Sequence, residues 1–315
     1  MSGSGLKGAI IAAGRGTRMG PFGDAAPKAV LPIANRPLIE HQIHAMRDLG
    51  VDEVVVLIGH KGYEIAKVLG DGERLGVRVT YVEQTQAMGI AHAVGRLEQH
   101  LDRPFVLMLG DIYFVSDGLR EMVDLFLDTQ AAAVLAVKNE PDPEAVRRNF
   151  AVQLRDDGIV TRVIEKPRHL SNRLKGVGIY LFSPAVFDAI RRTPKTAMRD
   201  EYELTESIQV MIEDGMHVRV ADVIREDINL TFPADVLRCN LLATAGSSLV
   251  HDTARLHTGV QLEQTVVGAN ATIDIPIRLT RSVVLSNAVL RDGADLEQVI
   301  VTPTGIIDCR VPAYR

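Results

Sequence analysis

Residues 11–32 read Ile11-Ala12-Ala13-Gly14-Arg15-Gly16-Thr17-Arg18-Met19-Gly20-Pro21, a short spacer, then Pro27-Lys28-Ala29-Val30-Leu31-Pro32. The apolar run Leu6–Ile11 directly ahead predicts a short buried strand. Gly14 and Gly16 let the backbone approach a ligand closely, and Arg18 and Lys28 bring positive charge to the same mouth. A strand that runs into a glycine turn and then a basic loop is a phosphate-binding arrangement. The bland alternative is a glycine turn that only joins strand to helix. Thr17-Arg18 and Pro27-Lys28 weigh against it.

Two phosphate motifs fail here. The dinucleotide fingerprint needs a third glycine three residues after the second, where this chain has Met19. A Walker A loop closes on Gly-Lys-Ser or Gly-Lys-Thr, which the loop lacks. Whole-chain properties narrow the rest. A length of 315 residues allows one large or two modest domains with a real core. A net charge of −5 argues against general nucleic-acid binding, so an anionic ligand must be met by local positive charge. No apolar run approaches the ~18 residues of a membrane span. Met1-Ser-Gly-Ser-Gly5 has neither a basic start nor an apolar stretch, so no signal peptide is expected. Cys239 and Cys309 lie far apart, outside any metal-ligand spacing, which predicts inert thiols in a reducing cytoplasm.

From residue 6 to 115 strand-like and helix-like segments alternate. Strands are expected over 6–12, 53–58, 77–83 and 104–109, with helices over 37–49, 63–69 and 89–100. Near-continuous apolar strands between helices predict a mainly parallel, Rossmann-like α/β sheet covered on both faces. Ligands of such sheets bind beyond the carboxyl ends of the strands, where the glycine loop and Asp111 both fall. Further strands are expected over 131–137, 150–154, 160–165, 177–182 and 217–223, with a hairpin turn at Asp156-Asp157-Gly158. Helices are expected over 203–215 and 233–245. The tail differs again. Val267, Ile273 and Leu279 recur every six residues, and after a slip of one so do Val284, Leu290 and Leu296. That period predicts a short left-handed parallel β-helix over 246–315, following a first domain over 1–245. Its open end invites packing on another subunit.

Several residues outside the loop carry chemistry. Asp111 follows an expected strand through Gly110, and a carboxylate at a strand end can hold Mg²⁺ against triphosphate oxygens. Asp227 is a second candidate, and two carboxylates converging on one cation would suit a nucleotide site. Glu165-Lys166-Pro167 ends a strand, where a carboxylate can accept sugar hydroxyls and an ammonium can pin a phosphate. Gln84, five residues before Gly89, can read a base edge with its amide. Taken singly, these also read as a turn Asp, a solvated tripeptide and a surface glutamine.

In order and spacing the chain resembles the sugar-1-phosphate nucleotidylyltransferases over nearly its whole length. Gly14-x-Gly16-Thr17-Arg18 with Pro27-Lys28 matches their signature loop, and Gln84-x4-Gly89-x-Ala91-x-Ala93 is similar to their base-binding segment. Leu109-Gly110-Asp111 matches the metal aspartate, Glu165-Lys166-Pro167 and Gly176-x-Gly178-x-Tyr180 the sugar-binding strands, and Asp227-Ile-Asn with Phe232-Pro-Ala-Asp235 the second metal segment. The resemblance implies catalytic roles for Arg18, Lys28 and Asp111, and nucleotide contacts at Ala13, Gly14, Gly16, Thr17, Gln84 and Gly89. It implies sugar-phosphate contacts at Glu165, Lys166, Gly178 and Tyr180, and Mg²⁺ on Asp111 and Asp227. The implied partners are a nucleoside triphosphate and a sugar 1-phosphate, or a related cyclitol phosphate, in a homo-oligomer without membrane or nucleic-acid ligands. Ala151 stands where many members have glycine in the sugar-binding strand, and Asn229 replaces another glycine. Two other readings remain. One is a paralogue of the same fold that binds or regulates without chemistry, and the other is a hexapeptide acyltransferase, for which the coil is short.

Overall fold

The computed structural model describes residues 5–196 and 200–310. Met1–Ser4, on which the signal-peptide expectation partly rests, lie outside the described residues. Contacts divide the chain into two compact units, Met1–Arg15 with Ile39–Asp227, and Gly16–Leu38 with Ile228–Arg315. The boundary expected at 245/246 falls inside the second unit, where the helix Pro233–Ala243 gives way to the coil.

The first unit is built on one nine-stranded sheet. Phe105–Leu109, Lys7–Ala12, Glu53–Ile58 and Arg78–Glu83 lie side by side and parallel, with Ala9 between Val55 and Leu107. These strands are apolar and buried because helices cover them. The helix Leu38–Asp48 packs so closely that a Cβ on Gly8 would sit 2.7 Å from the Met46 sulfur. Beyond this parallel block the sheet is mixed. Leu174–Phe182 runs antiparallel to Phe105–Leu109, Ala133–Asn139 and Phe150–Leu154. Phe105 centres the core, its ring 5.9 Å from Phe182 and 5.7 Å from Phe187.

Local signals account for the element ends. Gly158, at φ +78°, closes the hairpin between Phe150–Leu154 and Val160–Glu165. Gly215 ends the helix Leu204–Glu213, its N–H donating to Ile212 O. The helix expected over 89–100 is shorter, Ile90–Gly95, followed by a 3₁₀ turn at Glu98–His100. Gly95 is a poor continuation residue and marks the break.

The second unit holds a parallel β-helix. Leu249–Val250, Arg255–Leu256 and Gln261–Glu263 form its first rung. Each strand pairs in parallel with its counterpart on the next rung, for example Leu249 with Val266, Val266 with Val283 and Val283 with Ile300. Val267, Ile273, Leu279, Val284 and Leu290 are buried in the coil, as their spacing predicts. The final strand, Gly305–Asp308, folds back antiparallel onto Val299–Thr302. No helix among the described residues is long and apolar enough to cross a membrane.

Candidate active site

In the first unit, three parallel strands end in glycines that press together. A Cβ on Gly59 would lie 2.7 Å from Ala13 O, and one on Gly110 would lie 2.9 Å from Ile11 O. Gly110 N–H donates to that same Ile11 carbonyl. Ala13 and Gly14 therefore leave the sheet alongside Gly110-Asp111. A Cβ on Gly14 would meet nothing within 4 Å, so its backbone is open to a ligand. The turn carrying Asp111 is clamped from behind. The buried Gln42 amide donates to Leu109 O at 2.8 Å and to Ile112 O at 2.9 Å. Sequence reasoning missed Gln42, which sits mid-helix with no local signal. It also missed Gly59, which repeats the strand-then-glycine pattern of Gly14 and Gly110.

Gln84 follows the strand Arg78–Glu83, its N–H donating to Ile58 O. Its Nε2 lies 3.2 Å from His92 Nδ1. Burial, then the Arg96 charge, lower the His92 pKa and favour a neutral ring that accepts from the amide. Gly89 has φ +108°, and a Cβ there would lie 2.4 Å from Tyr202 O. Tyr202 N–H donates to Met88 O and its carbonyl accepts from Ala91 N–H, so Tyr202 fixes the Gly89 turn from across the fold.

Glu165 ends its strand and accepts from Thr205 Oγ1 at 3.4 Å. Lys166 is exposed and adopts φ +45°, a conformation non-glycine residues avoid. Its N–H donates to Asn149 O. Gly178 has φ +77° within a register shift of its strand, and a Cβ there would lie 2.6 Å from Ile112 Cδ1. Tyr180 differs from the sugar contact expected for it. It is 3% exposed and stacks between Phe150 and Phe182, with centroids at 6.1 and 5.4 Å. Burial, then the charges of Glu165 and Glu203, raise its hydroxyl pKa strongly. The ring is part of the core.

Asp227 also departs from expectation. Its strand Ile224–Asn229 pairs with Ile112–Ser116, directly after Asp111. However, Lys175 Nζ lies 2.7 Å from one Asp227 oxygen and 2.9 Å from the other. A cation already sits on the second expected metal carboxylate. Among the described residues no group of three or more His, Cys, Asp or Glu side chains forms a metal cage. Protein-bound Mg²⁺ is commonly held by one or two carboxylates, with substrate phosphates and water completing the shell. Asp227, with both oxygens on the Lys175 ammonium, does not fit that role.

The second unit carries the basic loop. Gly16 is left-handed at φ +64° and opens the 3₁₀ turn Thr17–Met19, which buries Met19 and exposes Thr17 and Arg18. Lys28 runs along Gly16, where a Cβ would lie 3.4 Å from Lys28 Cγ. Gly23, not singled out from sequence, is packed tighter still, with a Cβ falling 2.3 Å from Gly16 O. The Arg18 guanidinium lies 5.8 Å over the Phe232 ring. Phe232 precedes the helix Pro233–Ala243, and its N–H donates to Asp235 Oδ2 at 2.8 Å. From the same helix, Asn240 accepts from Ala34 N–H at 2.8 Å and donates to Pro32 O at 3.0 Å. Ala34 and Asn35 both have positive φ in a two-residue hairpin turn, and Asn35 donates to Val267 O in the coil.

These features define an α/β protein with a glycine-rich, basic loop. The chain belongs to the nucleotidyl transferase family, whose model matches residues 7–227. It is 34% identical over 270 residues to the low-salt glycan biosynthesis nucleotidyltransferase Agl11 of Haloferax volcanii, covering 82% of this chain and 73% of that protein. It is 30% identical over 311 residues to a glucose-1-phosphate thymidylyltransferase of Streptomyces antibioticus, covering 97% and 84%. A Bacillus anthracis protein assigned as a glucose-1-phosphate thymidylyltransferase, crystallised with sucrose, superposes with a TM-score of 0.68 at 26% identity, over 76% of this chain and 95% of that one.

Proposed function

We propose that this enzyme joins a nucleoside triphosphate to a sugar 1-phosphate, or a related cyclitol phosphate, giving a nucleoside-diphosphate sugar and pyrophosphate. The observation that carries this reading is the basic glycine loop, with Arg18 braced on Phe232 and Lys28 lying along Gly16. A sugar-phosphate oxygen attacks the α-phosphorus in line. A new oxygen–phosphorus bond forms, the bond to the β-bridging oxygen breaks, and pyrophosphate leaves with that electron pair. The nucleophile is already an anion at neutral pH, so no general base is needed. Catalysis then rests on alignment and charge neutralisation. Arg18 and Lys28 supply positive charge to the triphosphate. Backbone at Ala13, Gly14, Gly16, Thr17 and Gly89 lines the nucleotide, and Gln84 meets the base. Lys166 pins the sugar phosphate, and the sugar hydroxyls lie near Glu165 and Gly178, with Glu165 accepting from them. Asp111 would hold Mg²⁺, which when bound neutralises phosphate charge.

The test is pyrophosphate release with Mg²⁺ across UTP, dTTP, GTP and ATP against a panel of hexose and cyclitol phosphates. Release with one pair supports the reading and names both substrates. No release and no nucleotide binding would replace it with the non-catalytic paralogue.

Residues 1–245 carry this chemistry, in the cytoplasm, and 246–315 serve assembly into a homo-oligomer. The first coil rung pairs on one side only among the described residues, and Leu249, Val250 and Leu256 are 37%, 37% and 36% exposed. Light scattering should give a multiple of the chain mass for the wild type and a smaller mass for Leu256→Lys. A wild-type monomer at all concentrations would rule assembly out.

A further inference from the structure

Lys175 is a buried ammonium to which the reaction above gives no task. It lies near the start of the strand Leu174–Phe182, paired with Ala151 on one side and with Lys138 on the other. Its side chain is 4% exposed, and that of Asp227 is 2% exposed. Its Nζ lies 2.7 and 2.9 Å from the two Asp227 oxygens and 3.2 Å from Glu140 Oε2. Lys138 lies 3.5 Å from Glu140 and 2.9 Å from Glu226, on the rim of the same cluster. A buried carboxylate must be compensated, and for Asp227 the compensating charge is part of the chain.

A divalent cation on Asp227 would compete for the same oxygens, at about 2.0–2.1 Å for Mg²⁺. It would also stand beside an ammonium that is sealed from water and bonded on its other side to Glu140. Like charges so placed repel strongly away from bulk solvent.

We propose that Lys175 is the fixed counter-cation of Asp227, so that the divalent cation of the reaction is held by Asp111 and the substrate phosphates without Asp227. The nucleotide-free protein then binds divalent cations weakly, and the cation arrives with the nucleotide. This inference rests on the proposed function only for the role of Asp111.

Binding of Mn²⁺ to the full-length chain, read by electron paramagnetic resonance with and without a non-hydrolysable nucleotide, decides it. Asp227→Asn, which preserves shape, should leave the affinity with nucleotide within about twofold of wild type. Lys175→Met should raise the nucleotide-free affinity at least tenfold, and the double variant Lys175→Met/Asp227→Asn should lose that gain. Lys175→Arg should behave as wild type. A tenfold or greater loss in Asp227→Asn would overturn the proposal, as would a folded Lys175→Met with no gain. Should Lys175→Met fail to fold, the Asp227→Asn result alone decides. Asp111→Asn tests the other reading separately, because unchanged Mn²⁺ binding there would remove Asp111 from the proposed function and leave the Lys175 result standing.

Discussion

Arg18 is exposed, yet the Phe232 face fixes its guanidinium. A planar, always charged group held on a ring is not matched by lysine. Arg18→Ala should lower kcat for pyrophosphate release by at least ~100-fold, as expected for a donor aimed at transition-state charge. Arg18→Lys should recover only part of that. Near wild-type turnover in Arg18→Ala would remove this residue from the mechanism. Gly89→Ala places a Cβ against the Tyr202 backbone at a φ that side chains avoid. It should cost about 1–3 kcal/mol in urea unfolding, with nucleotide affinity falling alongside. At this scale the glycine turn and the neighbouring Lys28 were legible from the spacing of Gly14 to Lys28. The sequence misled at Tyr180, whose place in the apolar run Val177–Phe182 already marks a core ring. Lys175 left a fainter sign, a lone charge at the head of that run.

The coil shows how an element declares itself by period. Its rungs repeat every 17 residues, and hydroxyls follow the same step at one corner. Thr265 N–H donates to Ser248 Oγ, Ser282 N–H to Thr265 Oγ1, and Val299 N–H to Ser282 Oγ. Val250, Leu256 and Leu262 continue the six-residue spacing backwards, so the first rung was also readable. The hairpin Pro32–Pro37 was not readable. Its strands are two residues long, and Ala34 is an unusual residue at positive φ. That turn is held by a distant amide instead. Asn240→Ala removes the acceptor of Ala34 N–H and the donor to Pro32 O. Loss of at least ~1–3 kcal/mol is expected from the stranded groups, seen as a lower melting temperature. A variant as stable as wild type would show that another group holds the turn.

For the whole molecule, the buried charge cluster adds a pH-dependent contribution to stability. Burial pushes the Glu140 carboxyl up, but the Asp142 N–H and the Lys175 ammonium outweigh it and hold the carboxyl below its ordinary value of 4.5. A carboxyl depressed by folding contributes stability above its unfolded value and loses it as pH falls through its folded one. Wild type should therefore exceed Glu140→Gln in stability at neutral pH, with the gap closing as pH falls below the ordinary carboxyl value. A gap that does not change with pH would show that the pair contributes no charge-dependent stability. The division into two units was beyond sequence reasoning, because it depends on contacts between remote segments. Ala34 meets Asn240 at a separation of 206 residues, and Asn35 meets Val267 at 232. That separation matters during synthesis. At about 5–20 residues per second, a ribosome makes the basic loop some 10–40 s before the helix that secures it. The nascent chain thus emerges with its basic loop unsecured until that helix has followed.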